Sequence, residues 1–151
     1  MEGVFDCFNV LPDAEISIEC NPGTLSREKL LAYKDAGINR LSIGLQSANN
    51  DELKRLGRIH TFEQFVTNYE VARNVGFKNI NVDLMYGLPG QSASQYMATV
   101  NKIIRLHPDH ISAYSLIVEK GTPFYEKYKF DMVRQEAGMR TEFLPNEDEL
   151  Y

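Results

Sequence analysis

Four apolar runs, each followed by a segment of helical period, constrain this chain more than any single motif does. Ala14 to Cys20 alternates Ile16 and Ile18 with Ser17 and Glu19. Ile38 to Gln46 puts Leu41, Ile43 and Leu45 on one face. Ile80, Val82 and Leu84 form a third run, interrupted by Asp83 and halted by Gly87-Leu88-Pro89-Gly90. His110 to Val118 is the fourth. Between the runs, Ser26 caps a helix through Ala36 that stops at Gly37, and a short helix follows from Asn50 to Leu56. Thr61 with Gln64, and Ser92 with Gln95, carry the reciprocal capping pattern that opens two longer helices, the first ended by Gly76, the second reaching Leu106.

Strands separated by helices are joined by crossovers, and crossovers of this kind are right-handed, so the expected class is α/β with a parallel sheet. Four strands do not close a barrel that needs eight, which leaves an open sheet or an arc of a larger barrel. Met1 to Asp13 shows no clear period, so the first strand's edge reads as unprotected and open to pairing with a second copy. Phe124 to Phe130 reads as a short helix. The expected division is a domain over 1–130 and a charged, unassigned segment over 131–151.

At 151 residues the chain is one domain's worth, and a net charge of -5 argues against a broad nucleic-acid footprint. With no membrane-length apolar run and no charged-then-apolar leader, a cytoplasmic location is expected. Cys7 and Cys20 are too far apart for a Cys-x-x-Cys motif, and His60, His107 and His110 are not at zinc-site spacings, so no metal ligands are assigned. A buried, inert thiol is the expectation for Cys20, and surface or turn positions for the histidines. Tyr86, Tyr114 and Tyr125 read as packing residues.

Parallel strands bring their C-terminal ends to one rim. Here those ends carry Glu19, Gln46, Asp83 and, near the fourth, Ile117. Carboxylates accept from hydroxyl and ammonium groups, an amide can donate or accept, and an apolar side chain suits a flat base. Arg58, after the short helix, could reach over the rim as a fork for a ligand carboxylate, although a solvated helix-end arginine is the commoner case. The Gly87–Gly90 turn lacks the Lys-Ser/Thr of a phosphate loop.

Five ordered blocks resemble the radical S-adenosylmethionine family of oxygen-independent coproporphyrinogen III oxidases. They are Glu15 to Thr24, Asn39 to Ser47, Leu56 to His60, Asp83 to Gln91 and Ser112 to Leu116. The Asn21-Pro22-Gly23-Thr24 turn and Gly121-Thr122-Pro123-Phe124-Tyr125 look closer to the HemW branch of heme chaperones than to HemN. The resemblance implies the middle of a radical S-adenosylmethionine (β/α) barrel. It also implies a site for S-adenosylmethionine in which Glu19 contacts the cofactor, Gln46 and Asp83 its ribose, Arg58 its carboxylate, and Ile117 lies near its adenine. It implies porphyrinogen or heme as partner and a [4Fe-4S] cluster in the intact family. The chain lacks the family's Cys-x3-Cys-x2-Cys loop, so it is not expected to ligate that cluster, and no catalytic residue is assigned to it.

Overall fold

The alternating runs become one sheet of four parallel strands in the order β1-β2-β3-β4. They span Ser17–Cys20 (β1), Arg40–Gln46 (β2), Asn79–Tyr86 (β3) and His110–Ser115 (β4). The computed structural model describes residues 2–145. Among the described residues the helices are α1 (Glu2–Cys7), α2 (Arg27–Asp35), α3 (Asn50–Arg55), α4 (Phe62–Val75), α5 (Ala93–Ile104) and α6 (Pro123–Glu136), with a 3-10 turn over Pro22–Thr24. Strand order follows chain order without reversal, so there is no switch point of the doubly wound kind. This is the winding of an arc of a (β/α) barrel, and it puts the helices on one face.

Side-chain parity then separates two surfaces. Leu41, Ile43, Leu45, Ile80, Val82 and Leu84 point one way and are fully buried against Leu30 of α2, Phe65, Tyr69 and Ala72 of α4, and Ile103 of α5. Each such Leu, Ile or Phe contributes about 1.5–3 kcal/mol on burial. The opposite parity carries Ser17 and Glu19, Arg40 and Ser42, Asn81 and Asp83, then Ser112 and Tyr114. That surface is polar on every strand.

The caps form as the sequence predicts. Ser26 accepts from the Lys29 N–H, and both Thr61/Gln64 and Ser92/Gln95 make the complete reciprocal box. Gly76 closes α4 at φ 100°, a left-handed conformation that glycine adopts without a Cβ clash.

Three elements differ from expectation. Residues 2–7 form a helix where no period was evident. β4 stops at Ser115 instead of continuing to Val118: Leu116 still donates its N–H to Tyr86 O at 2.9 Å, after which the chain leaves the sheet. The helix expected over Phe124–Phe130 continues to Glu136, through the point at which the charged segment was set apart. Its extension has a tertiary cause. Asp131, buried on α6, accepts from the backbone N–H groups of Glu142, Phe143 and Leu144 at 3.0, 2.6 and 3.0 Å, folding residues 142–144 back onto the helix. Among the described residues no helix is long and apolar enough to cross a membrane.

Candidate functional site

The polar face of the sheet is the floor of a cavity of about 380 Å³, lined by residues from all four strands. Glu19 of β1 and Asp83 of β3 both face it, so the two carboxylates do converge, although Asp83 lies within β3, three residues before its end at Tyr86, and not at the strand end that the sequence suggests. Asp83 is held from beneath. Ser42 Oγ donates to its Oδ2 at 3.0 Å, and Asn81 Nδ2 donates to its Oδ1 at 2.6 Å. The Tyr114 hydroxyl donates to it as well, and burial together with that bond and the nearby charges of Asp83 and Glu19 holds the phenol well above the usual tyrosine range. A carboxylate with this many donors is held in one orientation.

Gln46 ends β2 at φ 74°, opposite Leu84, where the β2–β3 register slips by one irregularity. Its side chain folds back over Gly44. A Cβ added there would sit 3.0 Å from Gln46 Nε2, so the glycine makes room for the amide. Gln46 is only 8% exposed, and its Oε1 finds no hydrogen-bond partner. An unfilled buried acceptor costs about 1–3 kcal/mol, and a ligand donor would offset that cost.

Gln46, Arg58 and Ile117 do not line this cavity: of the five residues that the sequence singles out, Glu19 and Asp83 do. The Arg58 loop is nevertheless fixed to the rim, because His60, two residues on, is 5% exposed and its Nε2–H donates to Leu45 O at 3.3 Å. His60 is therefore not the surface residue that the sequence suggests. Burial, and secondarily Arg58, lower its basicity despite the Leu45 bond. Arg58 itself is half-buried and makes no ion pair among the described residues. Ile117 is 77% exposed and lines a separate hollow of about 200 Å³ with Gly87, Met132 and Leu144.

Sequence reasoning missed Ser42, Asn81, His110 and Ser112, and it treated Tyr114 as packing. Asn81 is 2% exposed, and its Oδ1 accepts from His110 Nδ1 at 2.6 Å and from Ser112 Oγ at 3.1 Å. The available signal was period two: each of these residues has the parity opposite to its strand's core positions. Cys20 behaves as expected, buried on the helix side of the sheet with its thiol pushed up to about 11 by desolvation.

The fit to the cofactors that the resemblance implies is uneven. Two convergent carboxylates and an unfilled amide oxygen suit a ligand rich in donors, such as the ribose and ammonium of S-adenosylmethionine. An iron–sulfur cluster does not fit. Among the described residues there is no group of three His, Cys, Asp or Glu able to hold a metal ion, and exposed Cys7 on α1 and buried Cys20 are the two thiols.

A profile of the Radical SAM superfamily matches residues 4–103. The heme chaperone HemW of Bacillus subtilis is 46% identical over 112 residues, 74% of this chain and 30% of that protein. HemW of Escherichia coli is 37% identical over 151 residues, 100% of this chain and 36% of that protein. Among solved structures, the coproporphyrinogen III oxidase HemN of Escherichia coli superimposes with a TM-score of 0.77 at 26% identity, covering 98% of this chain and 32% of that one. An archaeal Elp3 from Methanocaldococcus infernus gives 0.71 at 27% identity, over 77% of this chain and 28% of that one. The chain thus spans about a third of the length of the curated relatives it matches. Its strand order, its polar strand ends and these matches agree: the chain belongs to the radical SAM superfamily, among the HemN- and HemW-related proteins.

Proposed function

We propose that this chain carries the strand-rim half of an S-adenosylmethionine site in a cytoplasmic protein of heme metabolism. The observation that carries the reading is that Glu19 and Asp83 line one cavity; the buried, unfilled Oε1 of Gln46, which ends the strand between theirs, is its second support. In this reading Asp83 and Gln46 accept from the ribose hydroxyls, Glu19 takes the ammonium, Arg58 swings from its anchored loop onto the ligand carboxylate, and Ile117 lies beside the adenine. Bound S-adenosylmethionine supplies a sulfonium centre. The chain's own residues bind and orient it, and no radical step is derived, because the described residues do not hold the cluster that would start one.

For the whole protein we favour heme delivery over porphyrinogen oxidation. The support is that the Bacillus subtilis and Escherichia coli relatives are both named heme chaperones, whereas the oxidase likeness is structural at lower identity. Both halves of the reading can be tested by titrating the chain with S-adenosylhomocysteine and, separately, with hemin. The expected result is saturable nucleoside binding that Asp83→Ala and Gln46→Ala each weaken by roughly tenfold, the worth of one hydrogen bond to a charged or buried group. Hemin binding is expected to survive both substitutions. Nucleoside affinity unchanged in both variants sinks the site assignment, and a flat hemin titration removes the chaperone reading for this chain.

A further inference from the structure

The polar face contains a hydrogen-bonded chain that the reading above does not use. It runs from His110 and Ser112 on β4 through Asn81 on β3 to Ser42 on β2, and it ends on both oxygens of Asp83. Asn81 is its hinge. Its two amide protons go to Ser42 Oγ at 2.8 Å and Asp83 Oδ1 at 2.6 Å, and its carbonyl oxygen takes His110 and Ser112. The amide orientation is dictated by chemistry. Reversed, it would set an amide oxygen against a carboxylate oxygen at 2.6 Å, with no proton between them. The orientation in turn fixes the histidine: a carbonyl oxygen accepts only from an N–H, so His110 must carry its proton on Nδ1. Ser42, having accepted from Asn81, is left to donate to Asp83 Oδ2. Every proton in the chain therefore points toward the carboxylate.

We propose that Asn81 is a positioning residue which, oriented by His110 and Ser112, holds Asp83 fixed as the acceptor for the ligand's hydroxyl groups. The proposal rests on the site assigned above. Asp83's lower lone pairs are already taken by Asn81, Ser42 and Tyr114, so the remaining acceptor capacity is aimed at the cavity without a search over rotamers. Such preorganisation removes an ordering cost from binding.

The decisive variant is Asn81→Asp. The titratable and charged groups around the pair are Glu19 on β1, Arg40 on β2, and His110 and Tyr114 on β4. Two carboxylates in contact hold one proton between them far more strongly than either does alone. At high pH the variant sets charge against charge and displaces Asp83. At lower pH the shared proton restores a donor where the amide stood. We expect the variant to bind S-adenosylhomocysteine about tenfold or more weaker than the native chain at pH 8, the gap closing to within about threefold near pH 5.5. Taking the ratio to the native chain at each pH cancels the ligand's own titration. A ratio that is flat, or that worsens on acidification, overturns the proposal, since a merely structural role predicts no rescue by acid.

Should Asn81→Asp melt at the assay temperature, Ser42→Ala removes a single donor to Asp83 and is expected to weaken binding while leaving the unfolding temperature within a few degrees. Unchanged affinity in that variant counts against the proposal. Long-range proton–nitrogen spectra of the ligand-free native chain give an answer independent of binding: Nδ1–H on His110 is required, and a ring protonated at Nε2 alone overturns the network. Absence of binding by the native chain refutes the S-adenosylmethionine reading itself. A native chain that binds, with a variant insensitive to pH, refutes only the role of Asn81.

Discussion

His60 shows how a residue with no motif around it gains a defined role through packing. Its Nε2–H meets the last core carbonyl of β2, its Cβ lies beside Gly23, and the loop bearing Arg58 is held at the rim as a result. The fold disfavours the protonated imidazole, because desolvation, with a smaller contribution from Arg58, outweighs the stabilising Leu45 bond. The linkage has a definite sign. A group whose folded pKa lies below its unfolded value of 6.5 contributes stability that is present above that pH and is lost as pH falls toward the folded pKa. The unfolding temperature of the native chain is therefore expected to fall from pH 7 to pH 5 more steeply than that of His60→Gln, whose neutral amide can still donate to Leu45 O. Parallel melting profiles for the two proteins would show that His60 is not buried as described. None of this was legible in the sequence, where Ile59-His60-Thr61 offers neither a period nor a metal spacing. That Glu19 and Asp83 face a cavity was legible, because a carboxylate on an apolar strand has to be explained by something it faces.

Among the elements, those fixed by local chemistry match the sequence closely. The two capping boxes open α4 and α5 at Thr61 and Ser92, and Gly76 ends α4, because each signal is satisfied within one helical turn. Elements fixed by distant partners do not. Leu116, Ile117 and Val118 extend an apolar run, yet β4 ends at Ser115, level with Tyr86, the last residue of its partner β3, and composition does not reveal where a partner strand ends. α6 is longer than its period suggests because Asp131 gathers three backbone donors from residues 142–144. Burial pushes that carboxyl up, but those three donors outweigh it and hold its pKa below the ordinary aspartate range. Asp131→Ala is expected to cost about 2–3 kcal/mol in denaturant unfolding by orphaning these N–H groups. It should also free residues 140–145 for rapid amide exchange while the sheet amides remain protected. Protection of residues 142–144 unchanged in the variant would mean that something other than Asp131 holds the segment.

For the whole molecule, one architectural fact organises the rest. A sheet wound in chain order leaves one face for helices and the other for polar side chains, and the proposed site lies on the second face. The apolar alternation made the parallel sheet legible, and the five ordered blocks made the family legible. The hydrogen-bonded floor beneath Asp83 was not, since it depends on the cross-strand register that sets Asn81 level with Ser42 and His110. The larger cavity of about 760 Å³, between the β3–α5 turn and residues 140–145, was equally invisible because residues 140–145 are brought there by Asp131. That gives the account a direct rival location. The most direct test is a proton–nitrogen correlation spectrum of the isotope-labelled chain titrated with S-adenosylhomocysteine. The account predicts saturable shifts at the strand ends, at Glu19 to Asn21, Gly44 to Ser47 and Asp83 to Gly87, abolished by Asp83→Ala. Shifts confined to Ser92, Tyr96 and residues 140–145, or the absence of any shift at saturating ligand, would contradict it.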